Sequence, residues 1–248
     1  MDIHILTIFP EMFASPLQAS ILQRAQERRQ LQVTVHDIRE FAAGRHRVTD
    51  DGPYGGGAGM VMKPEPIAAG VRALQERFGP AHVLLMSPQG KVLDQEFAKT
   101  LLDYRRLVLI CGRYSGVDAR VMQYVDAELS IGDYVLTGGE LPAMVLLDVV
   151  GRMIPGVVGD RQSVEGDSFF NGLLQGPQYT RPESFEGVRV PEVLLSGDHT
   201  AIAEWRQRQS LQTTLEKRPD LLDRVPLTPE ALAILRELED DETNSHGA

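Results

Sequence analysis

Short apolar runs alternate with helical patterns over about the first 150 residues, and this alternation constrains the fold more than any other feature of the sequence. Several of the runs are almost continuously apolar, which is typical of strands in a sheet whose two faces are both covered by helices. Strands are predicted at Ile3–Ile8, Leu31–Val35, His82–Met86 and Leu107–Ile110, with a candidate fifth at Glu128–Ile131. The alternation therefore predicts an α/β domain with a mainly parallel sheet.

Helical patterns fill the intervals between these strands. Ser15 and Pro16 supply an N-cap and a first helical position, so a helix is predicted from there to about Arg29. Further helices are predicted at Pro66–Phe78, Asp94–Tyr104 and Leu141–Met153, and after Asp198 at Thr200–Lys217 and Pro229–Leu238. The last two helices predict a second, smaller helical domain.

Two long segments, residues 44–63 and 155–190, lack such periodicity. Loops of this length in a compact protein are usually functional or disordered. The first contains GPYGGGAG, which lacks the Gly-Lys-Ser/Thr of a phosphate-binding loop, so a mobile surface loop is an equally good interpretation. A single loop carboxylate is usually only solvated, but the second segment holds several candidate polar residues: Asp160, Arg161, Glu165, Asp167, Tyr179 and Arg181.

Charge and cysteine content exclude several classes of protein. The formal net charge of −10 argues against a protein that coats nucleic acid by bulk electrostatics, so RNA binding would need a local cluster of Arg and Lys. The single cysteine, Cys111, rules out an intramolecular disulfide and a cysteine-based metal site, and it favours a reducing cytoplasm. We expect no signal peptide at Met1–Phe9 and no membrane span, since no stretch of about 18 apolar residues occurs.

Other common catalytic patterns are missing. The six histidines show no metal-ligand spacing. Gly112–Gly116 reads G-x-x-S-G, whereas a serine hydrolase elbow requires G-x-S-x-G.

Three glycine-containing turns follow predicted strands. They are Met86–Gly90 (MSPQG), the end of Leu107–Gly116 (LVLICGRYSG) and Ser130–Glu140 (SIGDYVLTGGE). Ligands of open α/β sheets bind outside the carboxyl ends of the strands. One such turn is more often structural than functional, but three at equivalent positions predict a shared pocket for a small molecule.

Taken together, these segments resemble the TrmD family of bacterial tRNA (guanine-N1)-methyltransferases, which belongs to the SPOUT superfamily. The resemblance runs nearly end to end. It is carried, in order, by ILTIFPEMF, DDGPYGGGAGMVMKPEPI, LLMSPQG, LICGRYSGVDARV, SIGDYVLTGGELPAM, RMIPGVVG, EGDSFFNGLLQGPQYTRPE and VLLSGDH. Motifs of this length in this order are very specific.

The resemblance implies a deep trefoil knot in the α/β domain and S-adenosylmethionine as methyl donor. The implied domains are a knotted donor-binding domain at 1–160, a linker with the catalytic loop at 161–190 and a C-terminal helical tRNA-binding domain at 191–248. The implied donor-binding residues are Met86, Ser87, Pro88, Gly112, Tyr114, Ser130, Ile131, Gly132, Asp133, Tyr134, Val135, Leu136, Gly138 and Gly139. They lie in the same three turns.

The resemblance also implies a substrate and a mechanism. The target is N1 of the guanine immediately 3′ of the anticodon, with Asp167 as general base and Arg152 beside the charge that develops on O6. A homodimer with a composite active site and a use of Mg²⁺ are further implications. Candidate tRNA contacts are Asp50, Ser163, Arg181, Arg206 and Arg208.

Two positions depart from the family pattern, and two other functions stay open. Ser115 stands where the family commonly has Glu after G-R-Y, and Gln178 stands where it often has His. The alternatives are a knotted ribose 2′-O-methyltransferase, which the end-to-end resemblance disfavours, and a non-catalytic RNA-binding relative. The presence of Asp167, Arg152 and all three donor turns argues against the second alternative.

Overall fold

The computed structural model describes residues 1–159 and 164–245. The chain divides into two compact units, Met1–Arg161 and Gln162–Ala248. The strands of the first unit are β1 (Asp2–Thr7), β2 (Gln32–Asp37), β3 (Asp50–Asp51), β4 (Val61–Met62), β5 (His82–Val92), β6 (Arg106–Cys111) and β7 (Ala127–Ser130). Its α-helices are α1 (Ala14–Leu17), α2 (Ser20–Glu27), α3 (Pro64–Phe78), α4 (Gln95–Thr100) and α5 (Glu140–Met153).

A five-stranded parallel sheet forms the centre of the first unit, in the order β2-β1-β6-β5-β7. Ile3 of β1 is in register with Val33 of β2 on one side and with Leu107 of β6 on the other. The predicted α/β class with a mainly parallel sheet is therefore confirmed. The trefoil knot stays a prediction from the resemblance.

Helices cover both faces of this sheet, as the apolar strands require. On one face, Ile5 and Leu109 pack with Leu22 of α2 and Leu147 of α5. On the other face, Leu6, Val108 and Ile110 pack with Ile67 and Val71 of α3. Successive strand residues point to opposite faces, so β1 and β6 contribute to both clusters. The same strands therefore hold both helical layers.

The turn predicted at Met86–Gly90, after the end of a strand, lies instead within the longer strand β5. The strand continues to Val92, and Met86 and Lys91 both pair with Leu129 of β7. The four residues between them bulge out of the ladder, which is how a strand can include an irregular loop and still resume its pairing. The turn is thus a wide bulge within β5 and not the end of the strand.

The helix predicted from Ser15 to Arg29 is also wrong as a single element, because it divides into α1 and α2. Ala19 is extended and Ser20 has a positive φ of 52°, which interrupts the helix. The side chain of Gln26 donates to the carbonyl of Leu17 at 2.8 Å, so the last turn of α1 gains a hydrogen-bond partner.

The helix predicted at Asp94–Tyr104 ends at Thr100, and a 3-10 turn follows at Leu101–Asp103.

The second unit contains β8 (Ser184–Phe185), β9 (Val188–Arg189), α6 (Glu192–Leu195), α7 (His199–Lys217) and α8 (Pro229–Ser245), so α8 extends beyond the predicted end at Leu238. Leu211 of α7 packs with Ala231 and Leu238 of α8 in a small core. Arg208 joins the same two helices through ion pairs to Glu237 at 2.7 Å and Asp241 at 3.5 Å.

Within the described ranges, no helix is both long and apolar enough to cross a membrane.

Candidate active site

A cavity of about 550 Å³ opens beside the β5 bulge and the carboxyl ends of β6 and β7. The ends of parallel strands lie along one edge of a sheet, which is where ligands of open α/β sheets bind. The walls are the β5 bulge, the turn after β6 and the loop from β7 to α5. All the residues predicted to bind the donor line this cavity except Asp133. The structure therefore brings the three predicted segments together, and their role in donor binding stays a prediction.

Gly139 allows two walls of the cavity to approach each other closely. Its amide donates to the carbonyl of Gly112 at 2.8 Å. A Cβ at this position would lie 2.8 Å from the Cα of Cys111 and 2.8 Å from the Cβ of Met86, both of which are fixed by buried strands. Any side chain here would therefore push the loop away from β5 and β6.

A buried ion pair holds the same walls from behind. Glu140 is only 1% exposed, and its Oε2 lies 3.1 Å from Nε of Arg113. The hydroxyl of Thr7 donates to Oε1 of Glu140 at 2.7 Å and accepts from the amide of Phe9 at 2.9 Å. Both carboxylate oxygens are thus paired, which a buried charge requires. The network connects β1, the turn after β6 and the start of α5.

The sequence interpretation missed Arg113 and Glu140. Each has a local signal, since a charged residue directly follows the apolar strand LICG and another opens the apolar helix ELPAMVLL. Their pairing has no local signal, because 27 positions separate them. Glu140 also looks like an ordinary acidic residue in the first turn of a helix, which gives no indication of a buried pair.

The end of the glycine-rich segment 44–63 borders the cavity. The amide of Ser115 donates to the carbonyl of Met60, and the amide of Met62 donates to the carbonyl of Gly116, both at 3.0 Å. Ser115 and Gly116 are themselves part of the cavity wall. Residues 60–62 thus support the turn after β6, whereas an added Cβ at Gly55, Gly56 or Gly57 would meet no atom within 4 Å.

A neutral thiol lies next to the cavity in the chain, although it is not part of the lining. Cys111 at the end of β6 is fully buried, and burial, followed by the nearby Glu140 carboxylate, raises the pKa of its thiol well above the usual value. A thiol that stays protonated is a weak nucleophile. Cys111 therefore acts as a packing residue beneath the cavity.

The other predicted catalytic and tRNA-contacting residues that the structure describes are not among the residues that line this cavity. Asp50 is in β3, in register with Met62. Arg152 lies in the last turn of α5. Asp167 belongs to the second unit, where its amide donates to the carbonyl of Val164 at 3.4 Å and its carbonyl accepts from Phe170 at 3.3 Å. Ser163, together with Asp160 and Arg161, lies outside the described residues.

A second cavity, of about 470 Å³, lies within the second unit. Arg181 and Arg206, two of the predicted tRNA contacts, both line it, together with Tyr179 and Trp205. Arg208 is not part of this lining, since its guanidinium pairs with carboxylates of α8. Within the described parts of the chain, no group of three or more His, Cys, Asp or Glu residues could hold a metal ion.

The chain is similar to known proteins over almost its whole length. The model of the family described as tRNA (Guanine-1)-methyltransferase TrmD matches residues 1–224. A tRNA (guanine-N(1)-)-methyltransferase of Syntrophotalea carbinolica is 53% identical over 96% of this chain and 97% of its own, and the one of Myxococcus xanthus is 54% identical over 96% and 97%.

A solved structure is similar as well. The tRNA (m1G37) methyltransferase of Aquifex aeolicus superimposes with a TM-score of 0.73 at 38% identity, covering 90% of this chain and 95% of that protein. Sequence and structure thus agree, and the chain belongs to the tRNA (guanine-1)-methyltransferase TrmD family.

Proposed function

We propose that this protein transfers the methyl group of S-adenosylmethionine to N1 of the guanine immediately 3′ of the anticodon of a tRNA. The observation that carries the proposal is the cavity in which three glycine-containing segments meet, beside the β5 bulge and the carboxyl ends of β6 and β7. The names of the relatives, all tRNA (guanine-N(1)-)-methyltransferases, supply the substrate and the modified atom.

The cavity has the size and chemistry that S-adenosylmethionine needs. Its volume is within the range of about 300–1,000 Å³ that is usual for small-molecule sites. Leu129 and Pro142 provide apolar surface for a purine ring, and the backbone groups of the three segments provide donors and acceptors for its edge. When bound there, S-adenosylmethionine would supply a methyl group already activated by a positively charged sulfur.

Asp167 and Arg152 are the proposed catalytic residues. Guanine N1 carries a proton, and the ring nitrogen is a poor nucleophile until that proton is removed. The carboxylate of Asp167 accepts the proton, which is the usual role of a positioned acidic side chain. Arg152 stabilises the negative charge that develops on the guanine O6 as the proton leaves.

We also propose that the active unit is a homodimer in which the donor cavity of one subunit meets Asp167 of the other. Leu141 and Val145 are 47% and 41% exposed and lie four residues apart on α5, so they share one face of that helix. Val135, 87% exposed, lines the donor cavity. Exposed apolar side chains on one helix face and at the cavity support a surface that another molecule covers.

The remaining assignments follow from the same proposal. Residues 1–160 would bind the donor, 161–190 would carry the catalytic loop, and 191–248 would bind tRNA. The tRNA contacts would be Arg181 of the linker and Arg206 of the C-terminal domain and, to a lesser degree, the ion-paired Arg208. The protein would work in the cytoplasm on tRNA. Mg²⁺ would take phosphate oxygens of the RNA among its ligands, as is common for this ion.

The decisive experiment is mass spectrometry of nucleosides after unmodified tRNA has been incubated with the protein and S-adenosylmethionine. We expect 1-methylguanosine, and none from a tRNA in which the target guanine is replaced by adenine. A ribose 2′-O-methylated product would instead support the alternative knotted methyltransferase. Binding of tRNA without any methylation would support the non-catalytic alternative.

A further inference from the structure

The second cavity combines aromatic side chains with positive charge. Tyr179 and Trp205 both line it, with their ring centroids 6.2 Å apart and their planes inclined by 55°. Rings inclined in this way form a corner and not a closed stack, so a third aromatic ring can stack on one of them. Leu194 of α6 and Ile202 of α7 add apolar surface. The cavity can therefore receive a flat, partly apolar ligand.

Two arginines at the same cavity are available for an anion. Neither Arg181 nor Arg206 has an ion pair within the described part of the second unit. The other cavity-lining charge is Glu183, which already pairs with Arg189 at 2.6 Å. The charge left at the cavity is thus positive, although the whole chain has a net charge of −10.

Other arginines of the same unit form ion pairs with carboxylates. Arg208 lies 2.7 Å from Glu237, and Arg218 lies 2.7 Å from Asp220 and donates a second bond to the same carboxylate at 2.9 Å. Arginines of this acidic unit can thus form ion pairs with nearby carboxylates. Two that do not, placed beside two aromatic rings, match the charge and the flat face of a nucleotide.

We propose that this cavity binds one unpaired nucleotide of the tRNA, with the base stacked on Tyr179 or Trp205 and a phosphate held by Arg181 and Arg206. The inference rests on the proposed function, because that function makes tRNA the ligand. It adds a position at which the C-terminal unit holds a base as well as the phosphate backbone. Stacking on aromatic side chains is how proteins hold unpaired bases without reading their sequence.

Trp205 is the only tryptophan of the chain, so its fluorescence reports on this cavity alone. The intact protein is titrated with an unmodified tRNA transcript and, separately, with a fully paired RNA duplex of similar length. We expect tRNA to quench the fluorescence with the same midpoint as an independent binding measurement, and the duplex to leave it nearly unchanged. An unchanged Trp205 signal at saturating tRNA would overturn the proposal.

Substitutions separate stacking from charge. Tyr179→Leu and Trp205→Leu should each weaken tRNA binding by about 5- to 150-fold, and Trp205→Phe should restore most of the affinity. Phe185→Leu is the matched control, because Phe185 is an exposed aromatic residue of the same unit that does not line the cavity. Wild-type affinity in both leucine variants would contradict the stacking role. Donor affinity and thermal melting confirm that each variant is folded.

The arginines are tested through the salt dependence of binding. Arg206→Gln should reduce the slope of log affinity against log salt by about 0.7 to 1, as expected for the loss of one phosphate contact. Arg218→Gln, which removes an ion-paired arginine of the same unit, should leave the slope unchanged. Equal slopes for wild type and Arg206→Gln would remove the phosphate contact from the proposal.

The outcomes distinguish this inference from the proposed activity. Formation of 1-methylguanosine without any Trp205 response would overturn the nucleotide cavity and leave the activity intact. A Trp205 response to tRNA without methylation would support the cavity and contradict the activity. A fluorescence change on diluting the protein without RNA, and none on adding tRNA, would assign the cavity to a second copy of this chain and overturn the inference.

Discussion

Arg113 and Glu140 join two walls of the cavity beside β5, β6 and β7 through a buried ion pair, with 3.1 Å between Nε and Oε2. Arg113 belongs to the turn after β6, and Glu140 is the first residue of α5. Its neighbour Gly139 lies against Gly112 in the same wall. The position of the loop before α5 therefore depends on this charge pair.

We expect Glu140→Ala to destabilise the protein by about 3–5 kcal/mol, because Arg113 and Thr7 would lose their shared carboxylate. Urea denaturation measures this loss. Replacing both charges, in Arg113→Met with Glu140→Leu, should recover much of the stability but not the donor affinity, since the loop would no longer be held in place. Wild-type stability of Glu140→Ala would show that the pair is unimportant.

Asp167→Asn should lower the single-turnover rate of methyl transfer by about 10²–10⁴-fold and leave the affinity for S-adenosylmethionine nearly unchanged. The amide keeps the size of the side chain and removes its basicity. Asp223→Asn, at an exposed acidic residue of the same unit, serves as the control. A variant that keeps more than about half of the wild-type rate would exclude Asp167 as the base.

Ser115 allows the use of Mg²⁺ to be tested. The residue lines the donor cavity, and the family commonly has a glutamate there. If that carboxylate contributes to a metal site, Ser115→Glu should shift the Mg²⁺ concentration for half-maximal activity downward, because it adds a hard oxygen ligand. Identical Mg²⁺ titrations of the two proteins would show that this departure from the family is neutral.

A shared active site predicts that two inactive variants restore each other. Gly139→Ala should displace the loop before α5 and so prevent donor binding, because the added Cβ would lie 2.8 Å from Cys111 and Met86. Each heterodimer of Gly139→Ala with Asp167→Asn keeps one intact site, so random mixing should return roughly a quarter of wild-type activity. Subunits are exchanged by co-expression. Verified heterodimers without any activity would contradict the composite site.

The buried His4 of β1, which contacts His36 of β2, predicts a loss of stability in acid. Burial, followed by the nearby His36 and Arg106, lowers the pKa of His4 from 6.5 to about 4. Between pH 6.5 and about pH 4, His4 is therefore protonated in the unfolded chain and neutral in the folded chain. The contribution of His4 to the free energy of unfolding is fully present above about pH 6.5. It falls by about 3 kcal/mol as the pH drops towards 4.

Urea unfolding at several pH values, on either side of the pKa of His4, measures this effect. The variant His4→Gln should lose less stability in acid than the wild type, because glutamine does not titrate. His46→Gln, at an exposed histidine of the 44–63 segment, should behave like the wild type. Parallel pH profiles for His4→Gln and the wild type would show that His4 does not contribute.

Much of the fold is determined by local patterns. The apolar runs establish the strands. They also require helices on both faces of the sheet, because a strand that is apolar on both sides must be shielded from water on both sides. Helix starts are equally local, as at Asp94 and Asp198, whose side chains accept from backbone amides of their own first turns. The long ordered motifs establish the family.

Tertiary structure alone decided the features that depend on distant partners. The bulge in β5 exists because Met86 and Lys91 meet the same residue, Leu129, of a strand that lies far along the chain. The pairing of Arg113 with Glu140 and the corner formed by Tyr179 and Trp205 arise in the same way. A sequence pattern reports propensities over a few neighbouring residues, whereas these contacts depend on which strand edges and helix faces meet when the chain packs.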